Sequence, residues 1–218
     1  MPTTAPWGEG SGGAGGTWRR LVLASASPRR QEILSAAGIE FDVDTSDVEP
    51  ELDGGQAVDP VDFARGAAVA KALDVAVRHE GRLVVGADTV VAVGGTVLGK
   101  PIDEADATEM LRLLSGRENR VTTAFAVAAM RGGQAELLAV DHETSGVVFK
   151  AITPLQIAEY VRTGEPLDKA GAYAVQGLGA ELIERVEGDY LNVVGLPLEK
   201  LCRTLSELGW PAGPALGQ

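Results

Sequence analysis

Arg29 and Arg30 follow Leu21-Val22-Leu23-Ala24-Ser25-Ala26-Ser27-Pro28, a stretch that reads as a buried strand, a loop and a helix start. Ser27 suits the N-cap and Pro28 the first helical position, where its fixed φ and missing N–H are harmless. Both guanidinium groups then fall in the first turn, at the positive end of the helix dipole. Cations are disfavoured there unless an anion arrives. Uncapped backbone N–H groups, two serine hydroxyls and two guanidinium forks make a phosphate cradle. An isolated arginine pair is more often a solvated surface feature. This pair directly follows an apolar strand, at the carboxyl end where α/β sheets bind ligands, which favours the anion site.

A second feature is Gly86-Ala87-Asp88-Thr89, set inside Leu83-Val84-Val85 and Val90-Val91-Ala92-Val93. A carboxylate within a buried strand is unfavourable unless it is paired, hydrogen-bonded or bound to a metal. Asp88 is therefore a structural residue satisfied by backbone amides, a residue at a solvent edge, or a functional one; the apolar surroundings favour function. Gly86 removes a side chain where something needs close approach. Lys100, in Leu98-Gly99-Lys100-Pro101, sits on a stiff loop and taken alone reads as a solvated lysine. In Asp168-Lys169-Ala170-Gly171-Ala172-Tyr173-Ala174-Val175-Gln176-Gly177, small residues hold Asp168, Lys169 and Gln176 against close backbone. Gly188-Asp189-Tyr190-Leu191-Asn192-Val193-Val194-Gly195-Leu196-Pro197 is a polar turn followed by a core anchor, and serves packing or contact equally well.

The elements that must position these groups alternate along the chain. A helix ends at Gly38, an alternating strand covers 39–44, and an acidic loop covers 47–59. An alanine-rich helix at 63–77 carries Lys71 near its middle. A buried strand at 82–93 turns at Gly94-Gly95 into a short return strand. Asp103 caps a helix closing at Gly116, and strands at 121–130 and 137–148 meet around Gly132-Gly133. Thr153-Pro154-Leu155-Gln156 opens a helix with a capping box, and Leu198, Leu201, Leu205 and Leu208 stripe a last one. Interleaved strands, hairpins and helices predict an α/β class with a mixed twisted sheet and flanking helices.

Composition narrows the partners. Nineteen Lys and Arg against 31 Asp and Glu give a net charge of −12 over 218 residues. Such a surface repels nucleic-acid polymers and anionic membranes but not a small anion in a local basic pocket. Cys202 is the lone cysteine, so no internal disulfide forms, and its leucine neighbours mark it as a core filler. His79 and His142 form no metal-ligand pattern. With neither a secretory signal nor an apolar span, the cytoplasm is the expected compartment. Residues 1–17, rich in Gly, Pro and Ser, read as a disordered tail, 18–210 as one domain or two small lobes around a continuous core, and 211–218 as a C-terminal tail.

Ser25-Ala26-Ser27-Pro28-Arg29-Arg30, Gly86-Ala87-Asp88-Thr89, Gly99-Lys100-Pro101, Leu114-Ser115-Gly116, Asp168-Lys169-Ala170-Gly171-Ala172-Tyr173, Gln176-Gly177 and Val194-Gly195-Leu196-Pro197 follow in the order and spacing of the Maf family of nucleoside triphosphate pyrophosphatases. The resemblance spans Leu21 to Gly209. It implies two lobes around a cleft, related to inosine triphosphate pyrophosphatases, and a divalent metal, Mg2+ or Mn2+. By position, Asp88 matches the family's proton acceptor. Arg30, Lys71 and Lys100 match its phosphate-contacting residues, with Ser25 in the same loop; Asp168 and Lys169 lie in a further matching motif. Arg29, Thr89 and Gln176 match the branch that hydrolyses dTTP and UTP rather than 7-methyl-GTP. A metal-serving glutamate matches Glu49 or Glu51, beside Asp88. Asn119 and Ala174 stand where many relatives have His and Gly.

The resemblance implies hydrolysis of a nucleoside triphosphate to the monophosphate and pyrophosphate, a house-cleaning role in nucleotide metabolism, and commonly a homodimer. Attack falls on the α-phosphorus, with Asp88 as general base and cations holding the triphosphate. Two alternatives remain: a pyrophosphatase preferring modified or purine nucleotides, such as 7-methyl-GTP, and a non-catalytic nucleotide-binding regulator of cell division.

Overall fold

Residues 20–48 and 59–210 are described by the structure, a computed structural model of the chain. The expected tails at 1–17 and 211–218, and both acidic-loop candidates Glu49 and Glu51, lie outside those residues. The chain runs β1 (Leu21–Leu23), α1 (Pro28–Ala36), β2 (Phe41–Val43), α2 (Pro60–Ala76), β3 (Leu83–Val93), β4 (Thr96–Leu98) and α3 (Glu104–Leu114). It continues through β5 (Glu118–Arg131), β6 (Gln134–Phe149) and α4 (Pro154–Val161). Short 3-10 turns at Glu165–Asp168, Ala170–Ala172 and Gly177–Leu182 lead to β7 (Ile183–Glu187), α5 (Tyr190–Val194) and α6 (Leu198–Glu207).

One seven-stranded mixed sheet, ordered β2-β1-β3-β5-β6-β7 with β4 added to β3, organises the molecule. β1 is parallel to both β2 and β3, and the remaining pairings are antiparallel. The expected mixed sheet with flanking helices is what forms. Three elements, α2, β5 and β6, are longer than their sequence patterns predict. α2 starts at Pro60 because Asp59, counted there with the acidic loop, caps it by accepting from the N–H groups of Val61 and Asp62. β5 and β6 extend to the two-residue turn Gly132-Gly133, whose φ values of +56° and +83° suit a tight hairpin. Their polar ends look like loop in sequence, but the ladder continues because backbone pairing is indifferent to side-chain polarity.

The apolar interior divides along β3. Ala87 belongs to a cluster with Leu34, Phe125, Leu201 and Leu205, on the face covered by α1 and α6. Val84 and Val90 join Ala64, Ala68, Ala72 and Val75 of α2 on the opposite face. Val91 and Val93 enter a third cluster with Leu111, Leu114, Phe149, Ile157 and Tyr173. Asp88 and Thr89 sit where the strand passes from the first two clusters into the third. Gly86 explains how α2 reaches β3 so closely: a Cβ there would lie 2.4 Å from the Ala68 carbonyl oxygen and 2.6 Å from the Ala72 nitrogen. The close approach expected at Gly86 is thus that of a helix backbone. Cys202 is buried in the first cluster, where desolvation raises its thiol pKa.

Candidate active site

A cleft of about 370 Å3 opens where β3 crosses between the clusters. The β1–α1 loop brings Ser25, Arg29 and Arg30 to its wall, α2 brings Lys71, and β3 brings Asp88 and Thr89. Lys100, Asp168, Lys169 and Gln176 complete it from the loops on the other side. Every residue nominated from the sequence that falls within the described residues therefore lines this one cleft. Tyr173, the last residue of the Asp168–Tyr173 motif, lines it too, as do Thr45 and Ser46, which had no sequence signal of their own.

Asp88 is paired: its Oδ1 accepts from Lys71 Nζ at 2.8 Å, with the two side chains 18% and 11% exposed. The pair meets the requirement that a carboxylate in an apolar strand have a partner, while enough of Asp88 faces the cleft to touch a ligand. Lys71 reaches it because Gly86 lets α2 settle against β3.

The two arginines play different parts. Arg29 is half-buried on the cleft wall, whereas Arg30 lies beneath it, 9% exposed. Arg30 Nε donates to the Gly195 carbonyl (2.8 Å), Nη1 to Ser25 Oγ (2.9 Å) and Nη2 to Thr89 Oγ1 (3.0 Å). Ser25 Oγ also accepts from the Ser27 N–H at 3.3 Å. With two bonds accepted, the Ser25 hydroxyl presents its hydrogen, a donor suited to an anionic oxygen. Ser27 occupies the N-cap position as expected, yet its hydroxyl caps none of the first amides of α1.

Thr89 passes the order inward. Thr123 Oγ1 donates to the Asn192 carbonyl (2.8 Å), so the 2.9 Å contact between Thr89 and Thr123 has Thr89 as donor. Asn192, fully buried, accepts from the Thr123 N–H and donates to Val121 O and Ser145 Oγ. Asn192 gives this segment a packing role, while Val193, Val194 and Gly195, which follow it, line the cleft, and the Gly195 carbonyl accepts from Arg30.

On the opposite wall, Lys169 Nζ donates to Asp168 Oδ1 and to the Glu165 carbonyl, both at 2.6 Å. Burial alone would raise the Asp168 carboxyl, but Lys169, bonded and charged, and then Arg29 bring it below its ordinary value. Tyr173 donates to Asn119 Oδ1 (2.9 Å) and packs edge-on against Phe149, so Asn119 is a buried acceptor in this chain. Ala172, beside it, takes φ +59°, an uncommon value for a residue with a side chain.

The loop after β2, which supplies Thr45 and Ser46, is fastened to α2 and to the turn that follows it. Asp44 receives both Arg78 Nε (3.0 Å) and Nη2 (3.2 Å) and contacts His79 Nε2 (2.7 Å). Its hydrogen bond from Arg78, then that from His79, holds the Asp44 carboxyl below the usual range. Ser46 donates to Asp74 at 2.7 Å.

For a metal, the carboxylates lining the cleft among the described residues are Asp88 and Asp168. No group of three or more His, Cys, Asp or Glu side chains gathers among those residues. Hard oxygen donors, one or two carboxylates beside phosphate oxygens, are the donor set that suits Mg2+ or Mn2+ held together with a substrate. No helix among the described residues is long and apolar enough to cross a membrane.

Known proteins are similar to this chain over most of its length. Residues 20–208 match the family described as Maf-like protein. A dTTP/UTP pyrophosphatase of Geobacter sulfurreducens is 50% identical over 190 residues, 87% of this chain and 97% of that protein. One of Symbiobacterium thermophilum is 48% identical over 193 residues, 88% and 96% of the two chains. One of Aquifex aeolicus is 44% identical over 194 residues, 89% and 98%.

Proposed function

From the premise that the chain belongs to the Maf family, we propose that it hydrolyses dTTP and UTP to the monophosphate and pyrophosphate. The observation that carries the reading is the cleft itself. An acidic protein gathers Arg29, Lys71, Lys100 and Lys169 around one strand-borne carboxylate, Asp88. Few ligands other than a polyanion match such a lining.

In this reading the triphosphate lies across the β1–α1 loop, taking donors from Ser25 and the first amides of α1 and charge from Arg29, Lys71 and Lys100. Arg30 adds its charge from below and fixes the Ser25 hydroxyl. Asp88 orients the attacking water and takes its proton as the oxygen bonds to the α-phosphorus. The bond to the bridging oxygen breaks and pyrophosphate leaves. Charge spreads over non-bridging oxygens in the transition state, so fixed cations do most of the work and no covalent nucleophile is needed. A divalent cation held by Asp88 with Glu49 or Glu51 would neutralise phosphate charge when bound. Asp168 and Lys169 close the far wall, and Gln176 and Thr89 face the nucleoside side.

The test is a panel of nucleoside triphosphates with pyrophosphate detection, run with Mg2+ or Mn2+ and with a chelator. The expected result is dTTP and UTP turnover that needs the added metal. Preference for 7-methyl-GTP would move the protein to the other branch. Saturable dTTP binding without pyrophosphate release would make it a regulator. Gln176 is the base reader in this scheme, since its amide both donates and accepts. Gln176→Glu keeps the shape and removes the donor. A rise in KM for dTTP and UTP of about 10-fold is expected, the worth of one hydrogen bond whose loss leaves a buried partner unmet. Unchanged KM values would remove Gln176 from base selection.

A further inference from the structure

Gln176 is exposed on the cleft wall and, among the described residues, its side chain finds no hydrogen-bond partner. What the fold sets is the place from which the Gln176 amide reaches into the cleft, and the backbone on both sides of it is held by one pair of side chains. Glu165 Oε1 accepts from the Gly179 N–H (2.9 Å) and Oε2 from the Leu178 N–H (3.1 Å). Tyr160 accepts from the Ala174 N–H (3.2 Å) and donates to Glu165 Oε1 (2.9 Å). So the chain is gripped two residues before Gln176 and two and three residues after it.

The fit around this pair is tight. Gly177 takes φ +70°, and a Cβ there would come within 2.8 Å of Glu165 Oε2. A Cβ on Gly179 would meet the Tyr160 hydroxyl at 2.6 Å. Two glycines thus let the backbone lie directly on the carboxylate and the phenol. Tyr160 is anchored in the third apolar cluster, and the Glu165 carbonyl receives Lys169 Nζ, another cleft residue. Burial by itself would raise the Glu165 carboxyl; the N–H groups of Gly179 and Leu178, then Tyr160, bring it below its ordinary value, as an ionised acceptor of several donors requires.

We propose that Glu165, braced by Tyr160, is a positioning residue for nucleobase selection: it holds the 174–179 loop so that Gln176 meets the pyrimidine edge. The assignment rests on the pyrophosphatase reading above and deepens it. Glu165→Gln preserves the shape, but an amide cannot accept from donors on both sides. The loop loosens while Asp88, Lys71 and Arg30, on other elements, stay in place.

The experiment measures kcat and KM for dTTP, UTP, CTP and GTP in wild type, Glu165→Gln and Tyr160→Phe, with thermal melting of each. In Glu165→Gln, KM for dTTP and UTP rises about 10-fold with kcat within about 3-fold, and the preference over GTP shrinks, as for lost ground-state positioning. Tyr160→Phe, which keeps the carboxylate, falls between it and wild type. If Glu165→Gln fails to fold, Tyr160→Phe carries the test with the same shift in smaller measure. A wild type that releases no pyrophosphate from any nucleotide overturns the pyrophosphatase reading, and this assignment with it. A selective wild type beside variants with unchanged KM and preference overturns the assignment alone. A uniform fall in kcat across all four nucleotides also overturns it, by making Glu165 merely structural.

Discussion

Asp88→Asn is expected to fold and melt close to wild type yet to lose on the order of 10²–10⁴ in kcat toward dTTP and UTP, the usual worth of a general base. Folding survives because asparagine retains an oxygen that can accept from Lys71, whose Nζ lies 2.8 Å from Asp88 Oδ1. What disappears is the negative charge and its capacity to take a proton from water. Steady-state kinetics with pyrophosphate detection, beside a thermal melt, separate the two effects. Turnover within about 10-fold of wild type would be too small a loss for a general base and would remove Asp88 from that role.

The second large effect is on packing. Gly86→Ala places a methyl 2.4 Å from the Ala68 carbonyl oxygen and 2.6 Å from the Ala72 nitrogen. Both are backbone atoms, so no rotamer change relieves the clash, and α2 has to move off β3. Overpacking of this kind costs about 1–3 kcal/mol, sometimes more. At roughly 2–4 °C per kcal/mol for a chain of this size, Tm falls by about 2–12 °C. Lys71 lies on the same helix, between Ala68 and Ala72, so the shift also pulls its ammonium away from Asp88, and kcat/KM falls with stability. Gly66 supplies the contrast on the same helix: nothing lies within 4 Å of the site of its Cβ. Gly66→Ala is expected to leave activity unchanged and to stabilise by about 0.5–1 kcal/mol, the helix preference of alanine over glycine. Equal Tm values for Gly86→Ala and wild type would mean that α2 is not rigidly seated on β3.

Much of the frame was legible because its signals are local. Asp103 and Thr153 cap α3 and α4 as their positions suggest, and the paired glycines at 94–95 and 132–133 turn hairpins. Ser25, Arg29, Arg30 and Asp88 were also legible, since Ser-Pro-Arg-Arg after a strand and an aspartate within one are unusual as types in place, whereas Lys71 and Lys100 stood out only through the family resemblance. The division of labour between Arg29 and Arg30 was not. Adjacent in sequence, they differ because the Gly195 carbonyl, 165 residues away from Arg30, comes to lie beside that guanidinium. Glu165 was missed, and Asn192 was seen only as part of a polar turn without its network, for a related reason. Several of their partners are backbone N–H and C=O groups, which every residue carries and which leave no trace in a sequence.

The sequence by itself determined the local elements, the acidic surface and the inventory of charged groups, because caps, turns and hydrophobic periods act over a few residues. Only the tertiary structure decided which cation pairs with Asp88, which arginine is tied to Gly195, Ser25 and Thr89, and what holds the loop of Gln176. Those outcomes depend on how closely α2 approaches β3, and on which backbone groups the fold brings to Arg30 and Glu165. Such distances are fixed by the packing of the whole chain and by no single stretch of it.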